Sequence, residues 1–567
     1  MREPAASVAS VDYQKLVFDY RRHPDQSAAP PARHPVVVVG AGPVGLSLAI
    51  DLAQQGMRVV LLDNDNTLST GSRAICFAKR TLEIFDRLGC GERMVAKGVS
   101  WKVGKVFFKD AQLYSFDLQP DTGHERPAFI NLQQYYVEGF LAERAAELPL
   151  IDLRWKNQVV GVEQHADHVV LSIETPEGHY ALQADHVVAC DGSRSAVRQL
   201  IGQESRGRVF RDRFLIADVK MKIDQPAERW FWFDPPFHPN QSVLLHMQPD
   251  GVWRIDFQLG WDANPEEEKK PENIIPRVKA LLANSALKDA QFELEWASVY
   301  TFACQRMDRF RHGRVLFAGD AAHGVSPFGA RGANSGVQDA ENLAWKLAAV
   351  VRGQGADALL DSYADEREYA ADENIRHSTR ATDFITPKSD ISRVFRDAVL
   401  KLARHHAFAR TLVNSGRLSV PATLHGSVLN TPDADAFEGA MLPGAAAADA
   451  PILRADGSSG WLLRELGEGF TALVADNPNV DATVAELRSS AEGVVPLRIV
   501  RVVAAGSNLP TTTLATLVDR DALVARRYDL QPGTVYLLRP DQHVCARWRQ
   551  AAGSSVRAAL RRALALA

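Results

Sequence analysis

Three glycines near one end of the chain have the spacing of a phosphate-binding turn. They lie in the sequence Gly40-Ala41-Gly42-Pro43-Val44-Gly45. The first glycine permits a tight turn, the second lets a pyrophosphate approach the backbone, and the third lets a helix pack closely on a strand. The N–H groups at the start of that helix then face the phosphates. The spacing predicts a dinucleotide site, with a purely structural glycine turn as the alternative.

The residues around these glycines match a strand–helix–strand unit. Residues 36–39 are four consecutive valines, which is typical of a strand buried on both faces of a parallel sheet. A helical pattern follows and ends at Gly56, and a second apolar strand at residues 59–62 closes on Asp63. A carboxylate at this position can accept hydrogen bonds from ribose hydroxyls.

Two more acidic residues follow apolar strands further along the chain. One is Asp191, which precedes Gly192, and the other is Asp320, which follows Gly319. Because the carboxyl ends of parallel strands meet at one edge of a sheet, both carboxylates are expected in the same crevice as Asp63.

The remaining pattern predicts an α/β chain with several units. Short strands are predicted at residues 159–162, 169–173, 180–183, 186–190 and 315–318. Aromatic alternation over residues 206–301 predicts an antiparallel sheet, and helical periodicity predicts helices over 336–351 and within 357–415. Residues 421–450 are rich in Pro, Gly, Ala and Asp, which is typical of a linker.

Composition excludes several classes of protein. The chain has 567 residues, and 65 basic against 69 acidic residues give a formal charge of −4, so no basic surplus predicts a nucleic-acid partner. No stretch of about 20 apolar residues predicts a membrane span. The five cysteines form no CxxC pair, which argues for reduced thiols, a cytoplasmic location and no metal or dithiol centre.

With its three motifs in this order and spacing, the chain resembles the class A flavoprotein monooxygenases. These are FAD-dependent aromatic hydroxylases related to para-hydroxybenzoate hydroxylase and phenol hydroxylase. Within that family the chain is most similar to the hydroxyphenylpropionate and phenol hydroxylases. The similarity runs from about Pro35 to Arg380 and continues more weakly into the tail, which resembles the thioredoxin-like C-terminal domain of phenol hydroxylases.

The resemblance implies a Rossmann-type FAD-binding domain of the para-hydroxybenzoate hydroxylase kind, an interleaved antiparallel substrate domain, and a thioredoxin-like domain without CxxC. The expected segments are a flexible leader at 1–34; the FAD-binding domain with a helical extension at 35–100, 129–205 and 302–420; the substrate-binding domain at 101–128 and 206–301; the linker at 421–450; and the C-terminal domain at 451–567.

The resemblance also implies a reaction. NADH or NADPH would reduce FAD, O₂ would form a C4a-hydroperoxyflavin, and an oxygen atom would pass to a phenolic or related activated aromatic substrate, in a homodimer. Three alternatives remain: a monooxygenase that tailors a larger polyketide-type aromatic, an FAD-dependent oxidase or dehydrogenase on the same fold, and an FAD-holding protein without turnover.

The resemblance assigns individual residues to FAD. Asp63 would bind the adenosine ribose, Arg73 would lie near the pyrophosphate, and Gln134 and Asp320 would lie beside the ribityl chain. The full expected set is Gly40, Ala41, Gly42, Pro43, Val44, Gly45, Asp63, Asn64, Arg73, Gln134, Val159, Asp191, Gly192, Gly319, Asp320, Pro327, Gly332, Ala333 and Asn334. The alternatives are a surface salt bridge for Arg73 and ordinary loop polarity for Gln134.

Residues 327–334 match the loop that contacts the flavin ring, with two departures. Ala330 and Arg331 replace the second glycine and the glutamine of the usual family sequence. The backbone N–H groups of residues 332–334 are still expected to face the flavin pyrimidine edge. Arg331 is hypothesised to tune the flavin potential or bind an anionic substrate, the alternative being an outward-facing arginine.

No catalytic residue follows from the sequence with certainty. Ile75 occupies the position at which phenol-hydroxylating relatives often carry an acid, so the group that deprotonates a phenol must come from elsewhere. Alternation alone does not show which sheet face each candidate occupies. The candidates are His246, Arg254, Asp256, Tyr300 and Arg331. His323 and the aromatic residues 230–233 are expected to be structural.

Overall fold

The computed structural model describes residues 12–71, 74–413, 418–507 and 514–566. These residues form 26 strands and 15 α-helices, numbered in chain order. The helices are α1 (Pro43–Gln54), α2 (Lys79–Arg87), α3 (Gly91–Lys97), α4 (Gln134–Ala146), α5 (Ala196–Leu200), α6 (Pro265–Glu268), α7 (Pro271–Ala283), α8 (Gly332–Val351), α9 (Ala358–Ile385), α10 (Asp390–Ala403), α11 (Ala407–Val413), α12 (Leu462–Glu465), α13 (Val480–Ala491), α14 (Leu523–Tyr528) and α15 (Gly553–Ala563).

An eight-stranded sheet contains the glycine turn. Its strands are β1 (Ala32–Val39), β2 (Val59–Leu62), β8 (Ile151–Arg154), β9 (Gln158–Gln164), β10 (Val169–Thr175), β11 (Gly178–Ala189), β17 (Arg311–His312) and β18 (Val315–Phe317). The order β17-β18-β11-β1-β2-β8 is parallel from β18 to β8, and β10 and β9 continue antiparallel from β11. The parallel strands β1, β2, β11 and β18 therefore end at one edge, which is where ligands bind in open α/β sheets.

Two features of this sheet differ from the sequence prediction. The predicted strands at 180–183 and 186–190 form one strand, because β11 pairs with β10 in its first half and with β1 in its second. β1 begins at Ala32, inside the predicted leader, since residues 32–34 also pair with β11. The preceding segment packs on the same domain, where Tyr13 is buried.

A second sheet of eight strands is antiparallel except for one pair. Its strands are β5 (Val103–Phe108), β6 (Ala111–Asp117), β12 (Ser205–Met221), β13 (Arg229–Phe233), β14 (Ser242–Met247), β15 (Val252–Leu259), β16 (Phe292–Met307) and β19 (His323–Gly324), in the order β19-β16-β12-β15-β14-β13-β5-β6. Only β13 and β5 are parallel. One face packs against α7 in an apolar core that includes Trp230 and Trp232, so these aromatic residues are structural, as predicted.

A small sheet joins the two large ones. It contains β3 (Cys76–Ala78), β4 (Val99–Trp101) and β7 (Phe129–Asn131), in the order β3-β7-β4. The Asn131 side chain donates to the carbonyl oxygen of Met247 in β14 at 2.7 Å, which ties this sheet to the second large sheet. The interleaved α/β architecture expected from the sequence is therefore present.

The C-terminal residues form a separate seven-stranded sheet. Its strands are β20 (Pro451–Arg454), β21 (Ser459–Trp461), β22 (Phe470–Ala475), β23 (Leu497–Ala504), β24 (Ala515–Asp519), β25 (Val535–Leu538) and β26 (Val544–Trp548), in the order β21-β20-β24-β23-β22-β25-β26. α13 and α15 pack on this sheet. The thioredoxin-like assignment stays a prediction. Residues 421–450 form no helix or strand apart from one isolated bridge, and Asp433 pairs with Arg547 of β26 at 2.7 Å.

A buried cluster of charges connects this C-terminal unit to α8 and α9. The Arg539 guanidinium donates to Glu366 at 2.6 Å and to Asp541, and Lys346 Nζ donates to Glu366 at 2.7 Å. All four side chains are buried. Burial raises the pKa of the Glu366 carboxyl, but Arg539 and Lys346 hold it well below its usual range. Buried charges persist only when paired, so the cluster fixes how the unit docks.

Replacing Arg539 with methionine is expected to destabilise the protein by about 3–5 kcal/mol, because Asp541 would keep a buried charge without its cation and Glu366 would be left with Lys346 alone. Thermal unfolding followed by differential scanning fluorimetry measures the effect. Arg520→Met is the matched control, since Arg520 and Asp521 form an exposed pair, and its melting temperature is expected to equal that of the wild type. An Arg539→Met variant that melts with the wild type would contradict the role of the cluster.

Candidate functional site

The glycine turn follows β1 and has one open face. At Gly40, where φ is +104°, an added β-carbon would lie 2.6 Å from the Cys190 carbonyl oxygen, and at Gly45 it would overlap the Gly40 carbonyl oxygen. Both positions therefore require glycine for close packing. A β-carbon at Gly42 would meet no atom within 4 Å. The turn is thus open at the glycine where a pyrophosphate was predicted to approach, and Pro43 begins α1 directly after it.

Asp63 follows β2 and contacts this turn. Its Oδ2 accepts a hydrogen bond from the Ala41 N–H at 2.6 Å, and its Oδ1 accepts one from the Asp65 N–H at 2.8 Å. Burial raises the pKa of the carboxyl group. Each carboxylate oxygen has a second lone pair, so Asp63 can still accept from ribose hydroxyls. Asn64 is exposed beside it, and Val159 is buried in β9.

Asp191 and Asp320 follow the next two strand ends of the same edge. Asp191 Oδ2 accepts from the Val197 N–H at 3.0 Å, and Gly192 takes a φ of +78°. Asp191 Oδ1 is buried and has no hydrogen-bond partner among the described residues. Such an orphaned acceptor fits a ligand that carries hydroxyl groups. Asp320 is exposed at the end of β18.

Asp339 holds the turn around Gly319 in place. Its carboxylate, which is fully buried, accepts hydrogen bonds from the Gly319 N–H at 2.9 Å, from His323 Nε2 at 2.7 Å and from Arg367 Nε at 2.6 Å. Burial opposes its ionisation, but His323 and Arg367 hold the pKa of Asp339 below its usual range. His323 therefore has the structural contacts that the sequence analysis expected.

The predicted flavin-ring loop leads into α8, which begins four residues earlier than predicted. Gly332 is its first residue, so residues 332–334 carry N–H groups without intrahelical acceptors. The Asn334 side chain accepts from the Ala78 N–H at 2.8 Å and donates to the Cys76 carbonyl at 2.9 Å. This clamp onto β3 orders the first turn, and it is a tertiary contact that periodicity does not show.

The two unusual residues of this loop have distinct surroundings. Ala330 has a φ of +52°, in the left-handed region that favours the glycine usual at this position. Asn334 Nδ2 donates to its carbonyl oxygen at 2.6 Å, and the Ala330 N–H donates to the Pro327 carbonyl at 3.1 Å. Arg331 is buried and donates to Asn374 of α9 at 3.0 Å, so it does not face outward.

Gln134 contacts the segment that carries Arg73, although Arg73 itself lies outside the described residues. The Gln134 side-chain oxygen accepts from the Ala74 N–H at 3.2 Å. Its Nε2 donates to Glu138 at 2.8 Å and to Ser69 Oγ at 3.0 Å. Gln134 thus binds both sides of this segment, which is more than ordinary loop polarity.

Four of the catalytic candidates lie on one face of the second sheet. Cross-strand pairs define a row that we call the charged row: Arg229, His246, Arg254, Asp218 and Trp296, on β13, β14, β15, β12 and β16. Asp256 lies two residues from Arg254 along β15, and Tyr300 lies four residues from Trp296 along β16. All of them alternate with residues of the core under α7, so they point away from it.

Arg254 forms a bidentate pair within the charged row. Its Nε and Nη2 donate to the two carboxylate oxygens of Asp218 at 2.8 and 2.7 Å. This geometry fixes the guanidinium plane. Burial raises the pKa of Tyr300 well above its usual range, so its hydroxyl stays protonated.

His246 is buried between two charges. Burial, followed by the charge of Arg229, lowers the pKa of His246 to about 4, so the ring is neutral at pH 7. Its Nε2 lies 3.6 Å from Asp256 Oδ2. Its Nδ1 is buried and has no hydrogen-bond partner among the described residues.

Three residues of the site were not predicted from the sequence: Arg229, Asp218 and Asp339. Arg229 lies at the start of an aromatic strand, at a position that alternation places on the face of Phe231. Asp218 and Asp339 lie within apolar patterns, and their roles become visible only from their hydrogen-bond partners in the structure.

In the described ranges no helix is long and apolar enough to cross a membrane, and no group of three or more metal-ligating side chains occurs.

Comparison with known proteins finds hydroxylases that are similar to this chain in sequence. A probable NADH-specific resorcinol 4-hydroxylase of Rhodococcus jostii is 32% identical over 461 residues, 80% of this chain and 81% of that protein. A 3-(3-hydroxy-phenyl)propionate/3-hydroxycinnamic acid hydroxylase of Mycolicibacterium smegmatis is 30% identical over 374 residues, which span 65% of this chain and 64% of that relative.

A solved structure shows the same fold. The flavin-dependent monooxygenase PieE, in complex with FAD and substrate, superposes with a TM-score of 0.79 at 21% identity and covers 94% of this chain and 99% of its own.

The family described as FAD binding domain matches residues 33–378. That range contains the glycine turn, the three strand-end aspartates and the start of α8. The chain therefore belongs to the FAD-binding domain family.

Proposed function

We propose that the protein is an FAD-dependent monooxygenase that hydroxylates a phenolic or related activated aromatic substrate with NADH or NADPH as electron donor. The main observation is that β3 connects the start of α8, where the flavin ring is expected, to the sheet that carries the charged row. The Cys76 carbonyl accepts from Asn334 at the start of α8. The Cys76 thiol donates to Asn131 Oδ1 at 3.1 Å, and Asn131 Nδ2 donates at 2.7 Å to the carbonyl oxygen of Met247, which follows His246 in β14. The two similar hydroxylases named above act on phenols, which supports the same class here.

FAD would be held by groups that the structure describes. The open face at Gly42, the carboxylates of Asp63 and Asp191, and the N–H groups of residues 332–334 match a pyrophosphate, hydroxyl groups and an electron-rich ring. Bound FAD supplies electron transfer from the nicotinamide and the activation of O₂. The positive end of the 20-residue helix α8 stabilises negative charge that develops beside it.

His246 is the residue that we assign to accept the phenol proton. Because Asp256 lies near Nε2, the ring proton is placed on Nε2 and the lone pair on Nδ1. Nδ1 is the ring atom for which the described residues offer no hydrogen-bond partner. Removal of the phenol proton raises the electron density of the ring, which favours attack by an electrophilic oxygen. Arg254, held by Asp218, stabilises the phenolate charge.

We also propose an oligomeric state and a location for the protein. A homodimer is proposed from the resemblance alone, and light scattering would give twice 62.3 kDa. A cytoplasmic location is proposed because all five cysteines are free thiols, which is usual in reducing compartments.

Gly42→Ala is expected to fold normally and to lose affinity for FAD at least about tenfold, because the methyl group enters the open face of the turn. The purified FAD-to-protein ratio and a fluorescence titration of the apoprotein measure this. Gly260→Ala is the control, since a β-carbon there also meets no atom within 4 Å. Equal FAD affinity of both variants would show that the open face does not bind the pyrophosphate.

Purified protein is expected to oxidise NADH or NADPH faster when its phenolic substrate is present, because binding of the substrate ring completes the active site. Stopped-flow absorbance with O₂ and product analysis tests this over phenols, resorcinols and hydroxyphenylpropionates, with polycyclic aromatics as a separate group. Oxygenated product must match the NAD(P)H consumed. Acceleration by polycyclic compounds alone would favour a tailoring enzyme, and turnover without O₂ uptake would favour a dehydrogenase.

His246→Gln is expected to lower kcat by about 10²–10⁴-fold, because the proton acceptor is lost. FAD content should stay at the wild-type level. His179→Asn, an exposed substitution on β11, serves as the control and should leave kcat unchanged. At high pH, where the phenol is already ionised, the variant should regain part of the lost kcat. If kcat is neither lowered by the substitution nor raised by ionisation of the phenol, His246 is not the proton acceptor.

A further inference from the structure

We propose that two copies of this chain associate through the outer face of α10 and α11, with the two α10 helices packed antiparallel across a two-fold axis. This inference rests on the homodimer proposed above, for which the resemblance gives no surface, and it names that surface. Neither helix contributes a residue to the candidate cofactor site or to the charged row, so the surface is separate from the proposed chemistry.

Exposed apolar side chains are concentrated on these two helices. Among the described residues, thirteen large apolar side chains are exposed, and six of them lie within α10 and α11. These six are exposed by 45% to 84%: Ile391, Val394, Phe395, Leu402, Phe408 and Leu412. Together they present apolar surface on the order of 600 Å², whereas a monomeric protein rarely exposes more than a few hundred Å² in one patch. Each partner of a stable interface contributes about 800 Å² in all, so this face is large enough to form the centre of one.

The outer side of α10 has the pattern of a helix–helix seam. Its inner residues Val399, Leu400 and Ala403 share a buried cluster with Phe233 and Leu244 of the second sheet. Its outer apolar residues follow Ile391 at spacings of 3, 4, 7 and 11 positions, and all are exposed. We call them the α10 stripe: Ile391, Val394, Phe395, Ala398 and Leu402. Apolar residues at these spacings lie on one side of a helix and pack against another helix.

The α10 stripe is complementary to a second copy of itself. Ile391 and Phe395 are four residues apart, and so are Ala398 and Leu402. When two such helices run antiparallel, Ile391 of one copy lies opposite Leu402 of the other, and Phe395 lies opposite Ala398. A large ring then packs against a small side chain, which lets the helices approach closely. Each pair occurs twice, as a two-fold interface requires.

The charges beside the stripe fit the same orientation. Asp390 is the first residue of α10, and Lys401 and Arg404 lie at its end. All three are exposed. In an antiparallel pair, Asp390 of one copy meets Lys401 of the other at both ends of the interface. Parallel helices would place like charges side by side, and their dipoles would add rather than oppose one another.

The remaining charges of α10 do not disturb this pairing. Asp397 forms an ion pair with Arg396 of the same helix at 2.9 Å. Arg393 lies about 200° around the helix from Ile391, since each residue turns by about 100°, and so points away from the stripe. A helix that lies on a lipid surface has mainly Lys and Arg on its polar face. Because charges of both signs flank the stripe, a second copy fits this face better than a membrane.

The oligomeric state of the FAD-loaded protein tests this surface. Sedimentation equilibrium over a series of concentrations is expected to give twice 62.3 kDa for the wild type. Phe395→Glu puts a charge in the middle of the stripe and should raise the Kd of self-association at least about 100-fold. Val428→Glu is the control, since Val428 is exposed by 68% but lies outside α10 and α11, and it should remain dimeric.

A charge swap tests the antiparallel orientation. Asp390→Lys and Lys401→Asp should each raise the Kd of the dimer about 5- to 10-fold, because like charges then meet across the interface. The double variant should recover most of the wild-type affinity. Asp224→Lys, in the exposed connection between β12 and β13, changes the net charge as Asp390→Lys does and should leave the Kd unchanged. Melting temperature and FAD content show that each variant is folded.

The possible failures are distinguishable. A wild type that stays monomeric at every concentration overturns both the inference and the homodimer. Dimers that persist in Phe395→Glu use another surface, which overturns the inference and leaves the homodimer intact, and a double variant that recovers no affinity overturns the antiparallel orientation. A monomer that sediments with phosphatidylglycerol vesicles assigns the face to a lipid surface and also overturns the inference. Absence of phenol-stimulated NAD(P)H oxidation by the wild type contradicts the proposed hydroxylase instead.

Discussion

One buried carboxylate, that of Asp339, holds the candidate cofactor site together. It accepts three hydrogen bonds, from the backbone after β18, from His323 and from Arg367 of α9. A charge with no exposed surface is tolerated only when its partners are all in place, so these elements have one mutual arrangement. Asp339 lies in the second turn of α8, and its contacts therefore set where the N–H groups of residues 332–334 lie relative to Asp320.

Glycines permit the close approach that this arrangement needs. A β-carbon at Gly336 would lie 2.6 Å from Val44 Cγ2, and one at Gly319 would lie 2.9 Å from the same atom. The starts of α1 and α8 therefore meet at the edge where β1 and β18 end. Two positive helix ends converge on one crevice, which favours an anionic ligand there.

Two other groups of charges differ in how completely they are paired. The cluster of Arg539, Glu366, Lys346 and Asp541 satisfies its members internally and holds the C-terminal unit on α8 and α9. In the charged row, Arg254 pairs with Asp218, whereas Arg229 Nη1 and His246 Nδ1 have no hydrogen-bond partner within the part of the chain that the structure describes. Buried polar atoms in a folded protein are usually paired, so atoms left over on one sheet face point to a ligand.

The sequence by itself determined the local features of this protein. The spacing of Gly40, Gly42 and Gly45, the apolar strands and the strand-end aspartates are short-range patterns. The glycine turn and the aspartates lie where they were predicted, whereas two of the predicted strands form the single strand β11. Only the tertiary structure decided which face His246 and Arg254 share, where α8 begins, and which partners Asp339 and Arg229 have or lack. These depend on cross-strand register and on contacts between residues far apart in the chain, such as Asn334 with Cys76, and period-2 alternation carries no information about either.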